Sequence, residues 1–470
     1  MSAGVFNRCL LVLVCAWAPC AAALDVFSTA DAVAPAAVLQ GSGLGAACVD
    51  GALPEVLSLE VMVERVLCHD PQARHAWAQA KAQAAQVGVA RSAYLPRLDA
   101  TATYSRGRND TRYEQADTSA QGRQRQLDHR LSLSWVLFDS GRREADLRNA
   151  RQLLVAANAN QDERLQEAFV QAASLYYDTL AAQDRQRAAE QVAALAAENL
   201  KDASAKFDAG AAALSDRLQA QTAYSQASLN LVRGQGAVRD AKGQIALRMG
   251  LAPQTRLMLA QTLTRRPDTA FVKGLDALLE QAGNDHPALI AAKAKLEAAK
   301  AAVAEREAAG RPSLSLIASL SDVKTHQAMA YNGDSHIRDN SVGLQVSIPL
   351  FEGFGRTYQV RGARARVQAQ EAELADVRQR VALELWASYQ ALGIETQALD
   401  RTAEWVEQAM LALNVVQGRY RSGVGSMIEL LNASSAYAMA EQEHIAALNG
   451  WHRARLRLAA SLGRLGFWAL

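Results

Sequence analysis

The residues whose types and spacing could do chemistry lie in two glycine-centred segments. One segment surrounds Gly210 and the other surrounds Gly423. Hydroxyl and carboxylate side chains beside such glycines can cap helices, form hydrogen bonds between helices, and give a narrow entrance a negative charge. The alternative interpretation is that Ser215 and Asp216 only cap a helix in a solvated turn, a role to which both are well suited. The polar residues that we select as candidates are Ser215, Asp216, Tyr420, Glu429 and Asn432.

Motifs of enzymatic chemistry are absent from the sequence. There is no P-loop, no His-Glu-x-x-His, no Gly-x-Ser-x-Gly and no Cys-x-x-Cys pattern. The glycines of 41–45 lie in an arm rich in proline, alanine and glycine, which indicates a flexible linker. The pairs His69/His75 and His444/His452 are interpreted as ordinary polar residues. We therefore expect no enzyme, no catalytic residue, no metal and no cofactor.

Composition and charge narrow the class of protein further. The chain has 470 residues and a net charge of +2, which gives no case for a nucleic-acid partner. Half of the residues are apolar, yet only 6% are aromatic. Alanine supplies much of the apolar share, and this favours helices that pack closely side by side.

The N-terminus has the pattern of an export signal, and we predict a signal peptide over 1–23. Arg8 precedes a short apolar run, and Ala21–Ala23 offers a cleavage site. Pro19 directly before Cys20 disfavours the alternative of a lipoprotein signal. No later stretch has the roughly 18 consecutive apolar residues of a transmembrane helix. Any membrane segment of the mature chain must therefore be a β-strand.

Two cysteines, Cys48 and Cys68, remain after removal of the predicted signal. A single pair in an exported protein suggests a disulfide. Such a bond would tie the N-terminal arm to the first helix. Two buried or free thiols are the alternative.

An internal repeat organises the chain. Pro71 and Pro287 have the same separation, 216 residues, as Pro96 and Pro312. Similar landmarks follow each pair in the same order, so one unit is written twice. The predicted domains are the signal peptide 1–23, an N-terminal arm with the start of an equatorial region 24–66, repeat 1 at 67–250, an equatorial joint 251–282, repeat 2 at 283–463 and a tail 464–470.

Each repeat has the same predicted plan of a helix, two strands, a long helix and a return helix. Proline begins the first helix, and alternation of period two indicates the strands. The segment 142–209 lacks proline and glycine, so it predicts a helix of roughly 100 Å. The first helices are 71–93 and 287–309; the strands are about 97–106, 128–138, 313–321 and 341–350, joined by polar loops 106–126 and 321–340; the long helices are 142–209 and 356–421; the return helices are 214–249 and 427–462.

The predicted strands have one apolar and one polar face. Leu131, Leu133 and Trp135 alternate with serines, and about ten residues per strand suit a tilted membrane crossing. Four strands cannot close a barrel, and open edges are not tolerated in lipid, so several chains must share one barrel. The predicted fold class is mainly α with membrane β. A soluble sandwich is the alternative, but it would bury polar strand faces without partners.

With these features the chain resembles the TolC family of outer-membrane efflux proteins. The resemblance rests on the duplicated unit, on Pro96-Arg97-Leu98, on Ile348–Phe351 and on the two turn segments, and it covers nearly the whole mature length. It implies an outer-membrane homotrimer whose twelve-stranded barrel continues as a periplasmic helical tunnel. A plain porin, which needs about 16 strands in one chain, and a structural periplasmic coiled coil are the rival classes.

The resemblance also implies roles for the candidate residues. Glu429 matches the first of two acidic rings at the tunnel entrance, but Asn432 stands where the second acid is expected. Gly425 stands where an arginine partner is often found. These departures predict a looser or differently held gate with weaker cation selectivity. The positions that match links holding the tunnel shut are Ser215, Asp216 and Tyr420.

Within the family, the resemblance leaves two classes of cargo open. The unlipidated signal and the Cys48–Cys68 arm resemble members that serve type I secretion. That likeness implies export of a protein toxin with an inner-membrane ABC transporter and a periplasmic adaptor as partners, besides outer-membrane lipid around the barrel. The alternative is a duct of the same fold for drugs and other small molecules.

Overall fold

The computed structural model describes residues 25–33, 53–113, 118–260, 274–328, 334–463 and 465–466. The predicted signal peptide, Cys48 and most of the predicted tail lie outside the described residues. Cys68 is disulfide-bonded. The other cysteines of the chain lie outside the described part, so the pairing with Cys48 stays a prediction.

Eight α-helices and four strands follow one another in the described residues, after a short 3-10 helix at Ala30–Ala32, and the lengths of the α-helices repeat. Corresponding helices of the two halves have 11, 22, 67 and 35 residues each. This equality confirms the internal repeat. The helices are α1 Leu59–His69, α2 Pro71–Ser92, α3 Arg142–Asp208, α4 Leu214–Arg248, α5 Leu275–Asp285, α6 Pro287–Ala308, α7 Gly355–Arg421 and α8 Met427–Ser461, and the strands are β1 Arg97–Tyr113, β2 Thr118–Phe138, β3 Ser313–Ala328 and β4 Ser335–Ser347.

The starts of α2 and α6 show how the two halves reach the same structure with different residues. In the first half, Asp70 Oδ1 accepts from the backbone N–H of Gln72 at 2.9 Å and of Ala73 at 2.8 Å. In the second half, His286 Nδ1 accepts from the backbone N–H of Ala288 at 3.2 Å. Burial lowers the pKa of His286, which favours the neutral ring that can accept this bond. No helix in the described residues combines the length and the apolarity needed to cross a membrane.

The four strands form one antiparallel sheet in the order β1-β2-β3-β4. Pairing of β1 with β2 runs from Arg97 opposite Ser134 to Tyr113 opposite Thr118. The polar segments 106–126 and 321–340, which we predicted as loops, are therefore largely strand. The prediction was too short because it followed apolar alternation, whereas the backbone ladder continues through polar residues without it.

Residues directly opposite each other lie on the same face of the sheet, so the register sorts the side chains. Leu133 is opposite Leu98 and Ala318, whereas Ser132 is opposite Asp99 and Ser319. One face is therefore an apolar band. The other face is mainly polar, although Ile317, Val323 and Ile337 interrupt it.

The chain divides into two compact units, residues 1–33, 80–156 and 293–373, and residues 34–79, 157–292 and 374–470. In the first unit, Val87 of α2 and Leu154 of α3 belong to one buried cluster, against which Val33 packs. Arg91 Nη1 donates to the carbonyl oxygen of Phe27 at 2.9 Å. The segment 25–33 is thereby attached along α2.

A tyrosine organises the core of the second unit. Tyr176 is fully buried, and its hydroxyl lies 3.1 Å from the carbonyl oxygen of Leu57 and 2.8 Å from that of Ala260. These carbonyls flank the parallel bridge between Leu57 and Leu259. Burial raises the pKa of Tyr176 to about 12, so the phenol keeps the proton that it donates.

We expect the second unit to lose stability in mild acid through His452. Its ring stacks on Tyr177 with centroids 4.3 Å apart, and burial, aided by Arg455, lowers its pKa to about 4. The folded ring stays neutral while the unfolded chain binds a proton, so stability falls as the pH drops from about 6.5 towards about 4, by roughly 1–3 kcal/mol. Chemical unfolding of His452→Phe at pH 7.5 and pH 5 should show a smaller loss than the parent. The exposed His75→Phe serves as the control and should leave the loss unchanged.

Candidate gate at the helix turns

The first helix turn closes with a Schellman motif at the end of α3. Gly210 has φ +72°, and its N–H donates to the carbonyl of Phe207 at 2.9 Å. The N–H of Ala211 donates to the carbonyl of Lys206 at 2.8 Å. These bonds satisfy carbonyls that the helix end leaves without partners, and they need a residue that tolerates the left-handed region.

The second turn repeats this geometry at the end of α7. Gly423 has φ +82°, and the N–H of Val424 donates to the carbonyl of Arg419 at 2.9 Å. The following helix α8 is capped by Ser426, whose Oγ accepts from the N–H of Glu429 at 3.2 Å. The turn therefore fixes where the Glu429 backbone sits.

Alanine at either turn glycine should destabilise the protein. Gly210→Ala or Gly423→Ala forces a Cβ into the left-handed region, at about 1–2 kcal/mol for each position. A matched control is Gly418→Ala, because Gly418 lies inside α7 with open space around its Cα. That change should be neutral or stabilising, by up to ~1 kcal/mol. Thermal unfolding of the purified proteins decides, and equal midpoints for all three would contradict the assignment.

Tyr420 is buried at the end of α7, with 3% of its surface exposed. It belongs to a small core with Met427 and Leu430. Lys206 donates to its carbonyl oxygen and lies 4.0 Å from the centroid of its ring. The pKa of Tyr420 is raised by burial and by the negative charges of Asp216 and Asp202. Among the described residues, the buried Tyr420 hydroxyl has no hydrogen-bond partner.

The structure brings the candidates of the first turn only partly together with Tyr420. Ser215 is exposed, and its Oγ lies 3.4 Å from Asp216 Oδ1. Asp216 is close enough to act on the pKa of Tyr420, but the two side chains form no hydrogen bond within one chain. Any link through them therefore stays a prediction.

An arginine that the sequence analysis missed joins α7 to α3. Arg421 Nη2 donates to Glu198, and its Nε lies 3.4 Å from Asp202 Oδ2. The signal was present, since Arg421 follows Tyr420 directly and the two acids lie four residues apart on one helical face. The sequence did not predict, however, which helix the arginine would contact.

The predicted entrance residues Glu429 and Asn432 are exposed at the start of α8. Arg419 Nη1 lies 3.9 Å from Glu429 Oε2, with about half of each side chain exposed. Such an exposed pair contributes little to stability. The pair does place the positive charge of Arg419 beside Glu429, the acid of the predicted entrance ring, and this lowers the local negative potential.

Gly425 has a steric reason to be glycine. A Cβ at this position would lie 3.0 Å from the backbone N of Tyr420 and 3.2 Å from the carbonyl carbon of Arg419. The neighbours are backbone atoms that cannot give way easily. This tight approach disfavours a side chain at position 425, and the ion pairs between α7 and α3 in this turn come from Arg421.

The four-stranded sheet and the paired long helices define the class of outer-membrane channel subunits. The solved structure of the outer-membrane channel OprN shares this fold, with a TM-score of 0.71 and 22% identity over 88% of this chain and 91% of that one. The family described as "Outer membrane efflux protein" matches residues 62–251 and 278–464. The chain belongs to this family, whose members include TolC.

Curated relatives agree on the family and differ in what their names say. Protein CyaE of Bordetella pertussis is 31% identical over 410 residues, covering 87% of this chain and 85% of the relative. The alkaline protease secretion protein AprF of Pseudomonas aeruginosa is 24% identical, with 85% and 82% covered. The pyoverdine export outer membrane protein OpmQ of the same species is 26% identical, with 86% and 83% covered.

Proposed function

We propose that the chain is the outer-membrane duct of a type I secretion system, that it works as a homotrimer, and that it exports a protein toxin. Channels of the TolC type are trimers that work with adaptors and inner-membrane transporters. The observation that carries the proposal is the sheet. Its outer strands, β1 and β4, each leave one edge without a partner among the described residues.

Three copies solve the problem of these edges. An open strand edge in lipid leaves backbone groups unsatisfied, at several kcal/mol for each group. Pairing β4 of one chain with β1 of the next closes a barrel of twelve strands when three chains combine. The serine, threonine and glutamine face then lines a wet interior, and the leucine face meets lipid.

The helices supply the periplasmic part of the duct. At 67 residues, α3 and α7 each measure roughly 100 Å. The turns at Gly210 and Gly423 follow the C-terminal ends of α3 and α7. A ring of three chains therefore carries three copies of Glu429 at these turns. The polar interior offers no source of energy, which an inner-membrane ABC transporter and a periplasmic adaptor must provide.

A protein cargo is supported by the resemblance to the outer-membrane component of the cyclolysin secretion apparatus. Cyclolysin, an adenylate cyclase haemolysin, is therefore our candidate cargo. The extent of the match to CyaE, 87% of this chain, supports the same reading. Small-molecule efflux is the second candidate, and it is favoured by the family description and by the name of OpmQ.

A deletion strain separates the two candidates. We would compare the proteins of the culture supernatant and the sensitivity to small toxic compounds, with and without the chain. Loss of one large secreted protein at unchanged sensitivity supports protein secretion. Matching supernatants with raised sensitivity would assign the duct to small molecules. The proposal of a duct would be overturned if deletion changed neither the supernatant nor the sensitivity, and if restoring the chain also had no effect.

A further inference from the structure

The apolar face of the sheet changes character towards the hairpin ends of the strands. Leu131 and Leu320 are directly opposite each other and belong to the apolar band. Two residues further along the same face, His129 is opposite Asp322, and Asp322 is opposite Arg338. Beyond that row the face carries Lys324 beside Leu127 and Tyr104, and then mainly polar or charged residues.

This charged end of the apolar face is the outer cationic patch. Its members follow the same parity as Leu131, Leu133 and Trp135, so they are on the side that the barrel turns towards lipid. They are Arg106, Arg108, Arg123, Arg125, Lys324 and Arg338, with His129, His326 and His336.

Observed contacts confirm that these side chains share one face. Asp322 Oδ1 accepts from His336 at 2.9 Å, and Asp322 Oδ2 accepts from Arg338 Nε at 3.2 Å. Asp322 is therefore engaged with two members of the patch and holds them in place. The side chain of Arg338 is 72% exposed, and Arg125 and Lys324 are exposed as well.

The opposite face of the sheet at the same height has a different charge. It presents Asp128, Arg130 and Asp339 among serine, threonine and glutamine side chains and the apolar Val323 and Ile337. The positive charge is therefore concentrated on one side and does not follow from a generally basic strand end. A partner that meets only the outer side of the barrel explains this sorting best.

The patch also has a concave part. A cavity of 320 Å³ is lined by Tyr104, Arg125, Lys324 and His336, and also by Asp334, whose carboxylate pairs with His326. It offers an aromatic ring beside two permanently charged groups, which suits a sugar that carries phosphate.

We propose that the outer cationic patch binds the phosphate groups of a phosphorylated glycolipid in the outer leaflet of the membrane. This inference rests on the proposed barrel, because the helices occupy the periplasmic side and the hairpin ends then face the cell exterior. The patch extends about 20 Å along the strands and about 14 Å across them. A ligand with more than one phosphate fits that extent, whereas a single phosphodiester headgroup would engage only part of it.

The test compares two double variants of the full chain, purified as the assembled protein. Arg125→Gln with Lys324→Gln removes two charges from the patch. Arg97→Gln with Arg130→Gln removes two charges of the same sign from the opposite face. Native mass spectrometry measures the retention of a bisphosphorylated lipid A-type glycolipid, of its dephosphorylated form, and of phosphatidylglycerol.

We expect the parent protein to retain the bisphosphorylated glycolipid best, and the patch variant to bind it about tenfold more weakly. The opposite-face variant should bind like the parent. Equal retention of all three lipids by the parent protein would overturn the inference even if a variant failed to assemble. If the parent protein assembled and secreted its cargo but showed no lipid preference, only the inference about the patch would be overturned. If the parent protein did not assemble at all, the shared barrel would be contradicted instead.

Discussion

We expect a chain that carries Leu131→Arg and Leu133→Arg to be exported but to fail to form a stable assembly in the outer membrane. Leu133 is opposite Leu98 and Ala318 within the apolar band, and Leu131, opposite Ala100 and Leu320, lies in the last row before the charged residues. An arginine on the lipid face of a barrel costs roughly 2–4 kcal/mol near the middle of the bilayer. With two such residues in each of three chains, the summed cost exceeds the free energy of unfolding of most proteins. Membrane fractionation, combined with electrophoresis of unheated samples, measures the loss.

The same strand offers a matched control for this prediction. Ser132→Arg with Ser134→Arg introduces the same two charges at adjacent positions on the opposite face, which the proposed barrel turns towards its wet interior. This control should assemble in normal amounts and alter only conduction. If both variants assembled equally well, the assignment of the leucine face to lipid would be wrong.

The second large effect concerns the gate, where we expect Arg421→Ala to increase conductance. The arginine bridges Glu198 and Asp202 on α3, with about half of its side chain exposed. An exposed bridge of this kind is worth about 0.5–1 kcal/mol in each chain. Three chains that open together would lose roughly 2 kcal/mol of closed-state stability, which raises a small open population about 30-fold. Single-channel recording in planar bilayers measures this change.

Arg401→Ala is the matched control for the gate. Arg401 lies on the same helix and pairs with Glu404 three residues away, so its observed ion pair within the described part of the chain joins no second helix. Its conductance should equal that of the parent protein. An unchanged conductance in Arg421→Ala would show that the bridge does not hold the turns closed, and attention would return to Asp216 and Tyr420.

Much of the fold could be predicted because the determining signals are local. The repeated prolines gave the starts of α2 and α6, and the alternation around Leu133 separated the two faces of the sheet. Gly210 and Gly423 marked both helix ends, since a left-handed residue is needed there. The strand lengths could not be predicted in the same way. Backbone pairing between β1 and β2 continues as far as Tyr113, where side-chain alternation carries no signal.

The candidate site, too, could be predicted only in part. Its place in the chain follows from the sequence, because a glycine turn with neighbouring polar residues is a local pattern. Its contacts depend on which helices lie side by side, which no spacing within one helix can reveal. Arg421 on Glu198, Lys206 on Tyr420 and the tight space at Gly425 therefore appeared only in the tertiary structure. The outer cationic patch has both origins: the charges are visible in the sequence, but only the strand register places Lys324, Arg338 and Arg125 on one face.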